Sequence, residues 1–186
     1  GTNFQELINL SEKGELDIDI KVLITNKDDA GCIKRAESAK IPHKIIRGKD
    51  FSQKKLFELE IINTLNNFDV ELIVMAGWMK IVTPFFINKF KNKIINIHPS
   101  LLPAYKGGTA INDSILNGSK ITGCSVHFVE EEVDSGSLIM QAALSIRDDD
   151  DIESLSKRIQ ILEHKILPHS ISPVSYTHLR AHETDY

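Results

Sequence analysis

Cysteine is scarce. The 186 residues hold two, Cys32 and Cys124, far apart and with no CxxC or Cys/His spacing. That leaves neither a zinc-ligand pattern nor a disulfide framework, and it points to a reducing compartment, the cytoplasm. Long apolar runs are missing too: none approaches the ~20 residues of a membrane-spanning helix, and the first residues do not read as a signal peptide. Neither sign of charge dominates. With 22 basic against 26 acidic residues the net charge is −4, so no global field draws in nucleic acid or anionic lipid. Internal repeats and linkers are also lacking. What remains is 41% hydrophobic and 26% charged residues, the balance of an ordinary globular protein long enough for one well-buried domain.

Strand-like and helix-like runs alternate. Residues 17–25 (DIDIKVLIT) read as a strand, 28–39 as a short helix with an apolar face around Cys32, Ile33 and Ala36, and 43–46 as a second strand. Residues 51–68 form an amphipathic run in which Leu56, Leu59, Ile62 and Leu65 recur at three-residue steps, near helical period. VELIVMAG (70–77) is continuously apolar, as expected of a strand covered on both faces. PFFINKF (84–90) suits a helix with proline in its first turn, and KIINIH (93–98) is the next strand. This order predicts an α/β fold, a doubly wound, mostly parallel sheet. Residues 121–129 and 136–146 then read as an antiparallel hairpin on the sheet edge, because so short an acidic turn joins them. A helix over 148–167 closes the domain. Its acidic start suits the positive end of the helix dipole better than a metal.

Both ends are unusual. GTNFQELI resembles a phosphate-binding loop running straight into a helix, and such a loop normally follows a strand. The first strand is therefore expected to be missing. Residues 173–186 lose all hydrophobic period, and 173–184 (PVSYTHLRAHET) resemble a translated sequencing adapter. His178 and His182, four apart, have no carboxylate placed to complete a metal site. The expected domain is 1–172, with 173–186 foreign to it.

Three features carry candidate chemistry. Asn96 and His98 lie two apart at a strand's carboxyl end, so they share a face where open α/β sheets bind ligands. Asp134 sits in the turn EVDSG. Gly1, Thr2 and Asn3 open a helix, where free N–H groups suit a phosphate. Each alone has a structural explanation, as does His127 in SVHFV, which reads as a structural histidine. Together they describe a small-molecule enzyme with an acid/base histidine, a polarising amide and an orienting carboxylate.

NIHPSLLPAYKG, GCSVHFVEEEVDSG and QILEH, with GTNFQELI and VMAGWMKIV (74–82), resemble the phosphoribosylglycinamide formyltransferases, folate-dependent enzymes of purine synthesis within the formyltransferase superfamily. The likeness runs from Gly1 to about Ser172. It implies a Rossmann-like formyltransferase fold and transfer of a formyl group from 10-formyltetrahydrofolate, a co-substrate, to the amine of 5′-phosphoribosylglycinamide. No metal is implied, and the partners are small molecules rather than nucleic acid or membrane. By the same resemblance Asn96 and His98 donate to the formyl oxygen, His98 serves as acid toward the departing folate nitrogen, and Asp134 orients and charges His98. Gly1, Thr2, Asn3, Gln160 and Glu163 match the ribonucleotide side, Glu163 facing the amine. Lys54, Met79, Lys80, Ile81, Val82, Asn96, Glu130, Glu131, Glu132, Val133 and Asp134 match the folate side.

The chain departs from the pattern in three places. YKGGTAIND lacks the proline expected before glycine, Thr2 stands where serine is common, and Ile161 and Leu162 fill the middle of QILEH. Two other folate enzymes share the superfamily motif. One is the 10-formyltetrahydrofolate deformylase, whose motif has a second histidine where Pro99 stands. The other is the methionyl-tRNA formyltransferase, which needs a basic stripe for RNA. A non-catalytic nucleotide-binding module would use only the Gly1 loop.

Overall fold

The structure is a computed structural model that describes the backbone of residues 1–183 and the side chains of residues 1–171. Helix α1 (Thr2–Glu12) leads into strand β1 (Leu23–Thr25), helix α2 (Gly31–Ser38) and strand β2 (His43–Ile45). Helix α3 (Lys54–Asn67), strand β3 (Ile73–Met75), helix α4 (Pro84–Lys89) and strand β4 (Ile94–His98) follow. Helix α5 (Ala110–Leu116), strands β5 (Ile121–Phe128) and β6 (Leu138–Ser145), and helix α6 (Ile152–Glu183) complete the order.

The alternation produces the α/β layering expected of it, and β5–β6 form the antiparallel hairpin at the edge. The strands make two hydrogen-bonded groups. β1 and β2 pair in parallel, while β3-β4-β5-β6 form a four-stranded sheet, parallel at β3–β4 and antiparallel thereafter. One apolar cluster, with Ile95, Ile97, Val126, Leu155, Ile159 and Leu167, joins α1 and α6 to the sheet. A second, with Ile61, Ile62, Phe86, Phe90 and Ile94, fills the opposite layer under α3 and α4. Each such fully buried side chain contributes about 1.5–3 kcal/mol of transfer free energy. β4 lies between both clusters, and that makes its carboxyl end a rigid platform.

Several expectations need correction. The stripe Leu56, Leu59, Ile62 and Leu65 is not the buried face of α3: Leu56 and Leu59 are exposed, and Phe57, Glu58, Ile61, Ile62, Thr64 and Leu65 are buried. A three-residue step falls short of a full 3.6-residue turn, so such a stripe drifts off the core face. β1 and β3 span three residues each instead of the expected nine and eight. They are hydrogen-bonded along one edge only, to β2 and to β4 respectively. α6 continues through Pro168, past the expected end at 167, because Ile166, Leu167 and Ile171 keep feeding the first cluster. The acidic entry to α6 works as a cap: Asp151 Oδ1 accepts from the Ser154 N–H at 2.7 Å, and Ser154 Oγ accepts from the Asp151 N–H at 2.9 Å. The adapter-like assignment of 173–186 concerns side chains outside the described residues.

Candidate active site

Strand alternation brings Asn96 and His98 to one face of β4, as the spacing predicts. Antiparallel pairing sets His127 opposite Asn96 and Ser125 opposite His98. The turn after β5 carries Asp134 over the same face. Its backbone adopts φ 50°, a left-handed conformation that Asp tolerates better than most residues. The Asp134 carboxylate then meets both imidazoles, Oδ2 lying 3.3 Å from His98 Nδ1 and Oδ1 3.5 Å from His127 Nε2. The side chains of all three groups are a tenth exposed or less. The three expected residues thus converge, together with a fourth that the sequence reading set aside.

That fourth residue, His127, determines how Asn96 is held. Its Nδ1 lies 2.8 Å from the Phe128 carbonyl, which can only accept, so Nδ1 carries the proton. Burial is the main influence on this imidazole and pushes its pKa below 6.5, opposed by the Phe128 bond and the Asp134 charge. In the neutral ring Nε2 keeps its lone pair and accepts from the Asn96 amide at 3.2 Å. One N–H of Asn96 is thereby fixed, and the other is left free to donate. A sequence signal for His127 did exist. It is a polar ring in the middle of an otherwise buried strand, at the parity that faces the Asn-x-His pair.

The loop after β4 closes onto the same cluster. His98 Nε2 donates to the Tyr105 carbonyl at 2.8 Å, and the Gly107 N–H donates to Asp134 Oδ2 at 2.8 Å. Tyr105 and Gly107 both have positive φ, 54° and 90°, so the segment lacking the expected proline is a tight double turn. Ser125 anchors the loop's base: its Oγ donates to the Ser100 carbonyl at 2.6 Å and accepts from the Leu102 N–H at 3.0 Å.

The two segments expected on the ribonucleotide side also meet. Asn3 Nδ2 donates to Glu163 Oε2 at 2.8 Å, joining the start of α1 to α6. Asn3 Oδ1 is buried without a partner. Burial raises the pKa of the Glu163 carboxyl, opposed by the Asn3 bond and by the charges of His164 and His98. Gln160 stands one turn before Glu163 on α6, half-buried, and Gly1 and Thr2 flank Asn3.

Of the residues expected on the folate side, Met79 and Ile81 are exposed (75% and 62%), as are Lys54, Lys80, Glu130, Glu131, Glu132 and Val133. Val82 is buried in the second core cluster, beneath its neighbours. A group the sequence reading missed holds this segment. The carboxylate of Glu58 is fully buried, accepts from the Thr83 N–H at 2.7 Å and from the Thr83 hydroxyl, and so ties α3 to the start of α4. Its signal was an acidic residue on the core-facing side of α3. Among the described residues no group of His, Cys, Asp and Glu has a geometry that could hold a metal ion.

The sequence model described as formyl transferase matches residues 1–171. The chain belongs to the formyl transferase family. It is 39% identical over 185 residues to the trifunctional purine biosynthetic protein adenosine-3 of Chironomus tentans, covering 98% of this chain and 14% of that protein. To the human protein of the same description it is 36% identical over 175 residues, 94% of this chain and 17% of the other. The chain thus spans about a sixth of the length of these relatives. Among solved structures, phosphoribosylglycinamide formyltransferase from Coxiella burnetii is 41% identical with a TM-score of 0.88, covering 92% of this chain and 81% of the other. The enzyme from Bacillus halodurans is 35% identical with a TM-score of 0.89, covering 91% and 88%. Within this formyl transferase fold, the polar cluster lies at the carboxyl end of β4, where Asn96 and His98 stand opposite His127 and Ser125 of β5.

Proposed function

We propose that this chain transfers the formyl group of 10-formyltetrahydrofolate to the amine of 5′-phosphoribosylglycinamide. The observation that carries the reading is the convergence of Asn96, His98, His127 and Asp134 into one buried hydrogen-bonded cluster at the end of β4. It is supported by kinship with phosphoribosylglycinamide formyltransferases over nearly the whole chain.

The folate supplies an activated formyl carbon when bound, and attack by the amine builds negative charge on the formyl oxygen. The free N–H of Asn96 and the ring of His98 would donate to that oxygen. Donors fixed in advance cost no reorganisation as the charge develops, and losing one typically lowers the rate ~10²–10³-fold. Asp134, 3.3 Å from His98 Nδ1, sets the orientation of the ring, so that His98 would pass a proton to the departing nitrogen. For this, His98 Nε2 must exchange the Tyr105 carbonyl for substrate.

The remaining residues suit the two substrates. Gly1 and Thr2 offer backbone N–H groups and a hydroxyl at a helix start for the phosphate. Glu163 and Gln160 face the glycinamide end, and the unpartnered Asn3 Oδ1 suits a substrate N–H or O–H donor. Met79 and Ile81 give apolar surface to a flat ring, with Val82 as their buried support. Lys54, Lys80 and the backbone of residues 130–134 give polar contacts at its rim. The formyl-transferring domain is residues 1–172.

The test is competition among acceptors. Phosphoribosylglycinamide, water and methionyl-tRNA are offered with 10-formyltetrahydrofolate, and formylated products are counted. Formylation of the ribonucleotide amine above both others is the expected outcome. Faster release of free formate would assign the chain to deformylation, and faster tRNA product to the tRNA enzyme.

A further inference from the structure

We propose that Gly136 is a positioning residue for the reaction: by leaving room for the Phe128 carbonyl, it fixes which nitrogen of His127 carries the proton. This role rests on the formyl-transfer reading for its effect on rate alone. His127 is 2% exposed, and its neutral ring has two arrangements open to it. In one, Nδ1–H donates to the Phe128 carbonyl at 2.8 Å and Nε2 accepts from the Asn96 amide at 3.2 Å. In the other, the proton sits on Nε2, which faces Asp134 Oδ1 at 3.5 Å. Only the first keeps a lone pair toward Asn96, fixing one N–H of that amide and freeing the other for the formyl oxygen. The Asp134 charge favours the second. The Phe128 carbonyl, an acceptor only, decides between them.

The returning arm of the hairpin places that carbonyl. The Phe128 N–H donates to the Ser137 carbonyl at 3.0 Å, and the Val129 N–H donates to the Ile94 carbonyl of β4 at 2.9 Å. Between these two bonds Gly136, itself buried, passes directly over the Phe128 carbonyl. A Cβ built on Gly136 would stand 1.9 Å from the oxygen and 2.8 Å from the carbon. Carbon–oxygen contacts begin near 3.3 Å, so a side chain at 136 forces the two apart by about 1.4 Å. A displacement of that size carries the 2.8 Å bond from His127 Nδ1 past the ~3.2 Å reach of an N–H···O bond. The ladder is also irregular at this point, with a register shift between Val126 and His127. Such irregularities re-aim a side chain. This one lies beside the ring that holds Asn96.

A second close approach in the same hairpin separates this role from ordinary strand packing. A Cβ on Gly123 would stand 1.9 Å from the Ala142 carbonyl oxygen. Gly123 pairs with Ala143 in the regular part of the ladder, toward the start of β5. The two glycines are equally crowded. Only Gly136 stands against the carbonyl that His127 uses.

The test compares Gly136→Ala with Gly123→Ala in chains whose histidine rings carry nitrogen-15, the His127 signals being assigned by their loss in His127→Gln. In the parent chain Nδ1 should read as protonated and Nε2 as a lone-pair nitrogen. Gly136→Ala should move both signals toward the opposite assignment. It should also lower kcat about tenfold, as His127→Ala does, with KM for both substrates changed less than about twofold. Placed on top of His127→Ala, it should add less than about twofold. Gly123→Ala should lower the melting temperature and leave the ring signals and kcat as in the parent. Trimethylamine oxide, an osmolyte excluded from protein surfaces, is added where Gly136→Ala melts below the assay temperature. A parent ring protonated at Nε2, or unchanged signals in folded Gly136→Ala, would overturn the proposal. So would an equal kcat loss on top of His127→Ala, or a Gly136→Ala chain that stays unfolded in the osmolyte, since Gly136 would then serve the fold alone. The ring signals need no turnover, so they decide the proposal even where formyl transfer to the ribonucleotide amine fails.

Discussion

At the carboxyl end of β4, four side chains from two strands and a turn hold one another through short contacts. A few strands away, β1 and β3 face each other across an open apolar groove. The same alternating sequence pattern built both regions, but with different neighbours. β4 has β3 on one side, β5 on the other and an apolar cluster on each face, so its polar terminus is rigidly placed. β1 and β3 have one partner each, and their apolar residues remain half-buried. Placement of the proposed reacting groups is thus built into the β4–β5 half. Gly1, proposed for the phosphate end, borders the open groove.

The largest effect expected on the closed side is from Asn96→Ala. Removing a donor aimed at the formyl oxygen should lower kcat by about 10²–10³-fold with little change in melting temperature. A loss confined to KM would show that Asn96 only binds. His127 acts through Asn96, so His127→Ala should cost about tenfold in kcat, a smaller loss of the same transition-state interaction. The double variant with Asn96→Ala should be no worse than Asn96→Ala alone. Additive losses would separate the two residues.

His127 also gives the cluster an acid limit. Its folded pKa lies below 6.5 while the unfolded value is near 6.5. The unfolded chain therefore takes up the proton first, and stability from this group, full above pH about 6.5, is lost as pH falls through the folded value. Urea unfolding of His127→Gln should show a shallower decline below pH 6.5 than the parent chain, and an unchanged slope would contradict the neutral buried ring.

Smaller still is the expected effect of Glu58→Gln, which keeps shape but cannot accept from both Thr83 donors. It should cost about 1–3 kcal/mol in urea unfolding, the price of a buried group left unsatisfied. The smallest belongs to the exposed Lys106–Glu132 pair, 2.9 Å apart. Lys106→Ala should change stability by less than about 1 kcal/mol.

Much of this contrast was legible in the residues. The strand–helix alternation, the hairpin over 121–146, Pro84 at the start of α4 and the shared face of Asn96 and His98 follow from local periodicity and turn chemistry. The juxtaposition of Asp134 with His98 came only from the family resemblance, because the 35 residues between them carry no local signal of where the turn lands. His127 and Glu58 were missed for one physical reason. A buried polar group declares itself only through its partner, and Asn96 and Thr83 are partners across strand pairing and helix packing. The buried face of α3 differs from the Leu56, Leu59, Ile62 and Leu65 stripe because a three-residue step drifts away from the 3.6-residue helical period. The irregular path of 17–22 could not be foreseen from DIDIKV alone, since a strand exists only where a neighbour pairs with it.

The most direct measurement of the central claim is formyl transfer to phosphoribosylglycinamide by His98→Ala and Asp134→Asn beside the parent chain, each first shown folded by its melting curve. The account predicts that both variants lose at least about a hundredfold in kcat. Full activity in either folded variant would contradict it.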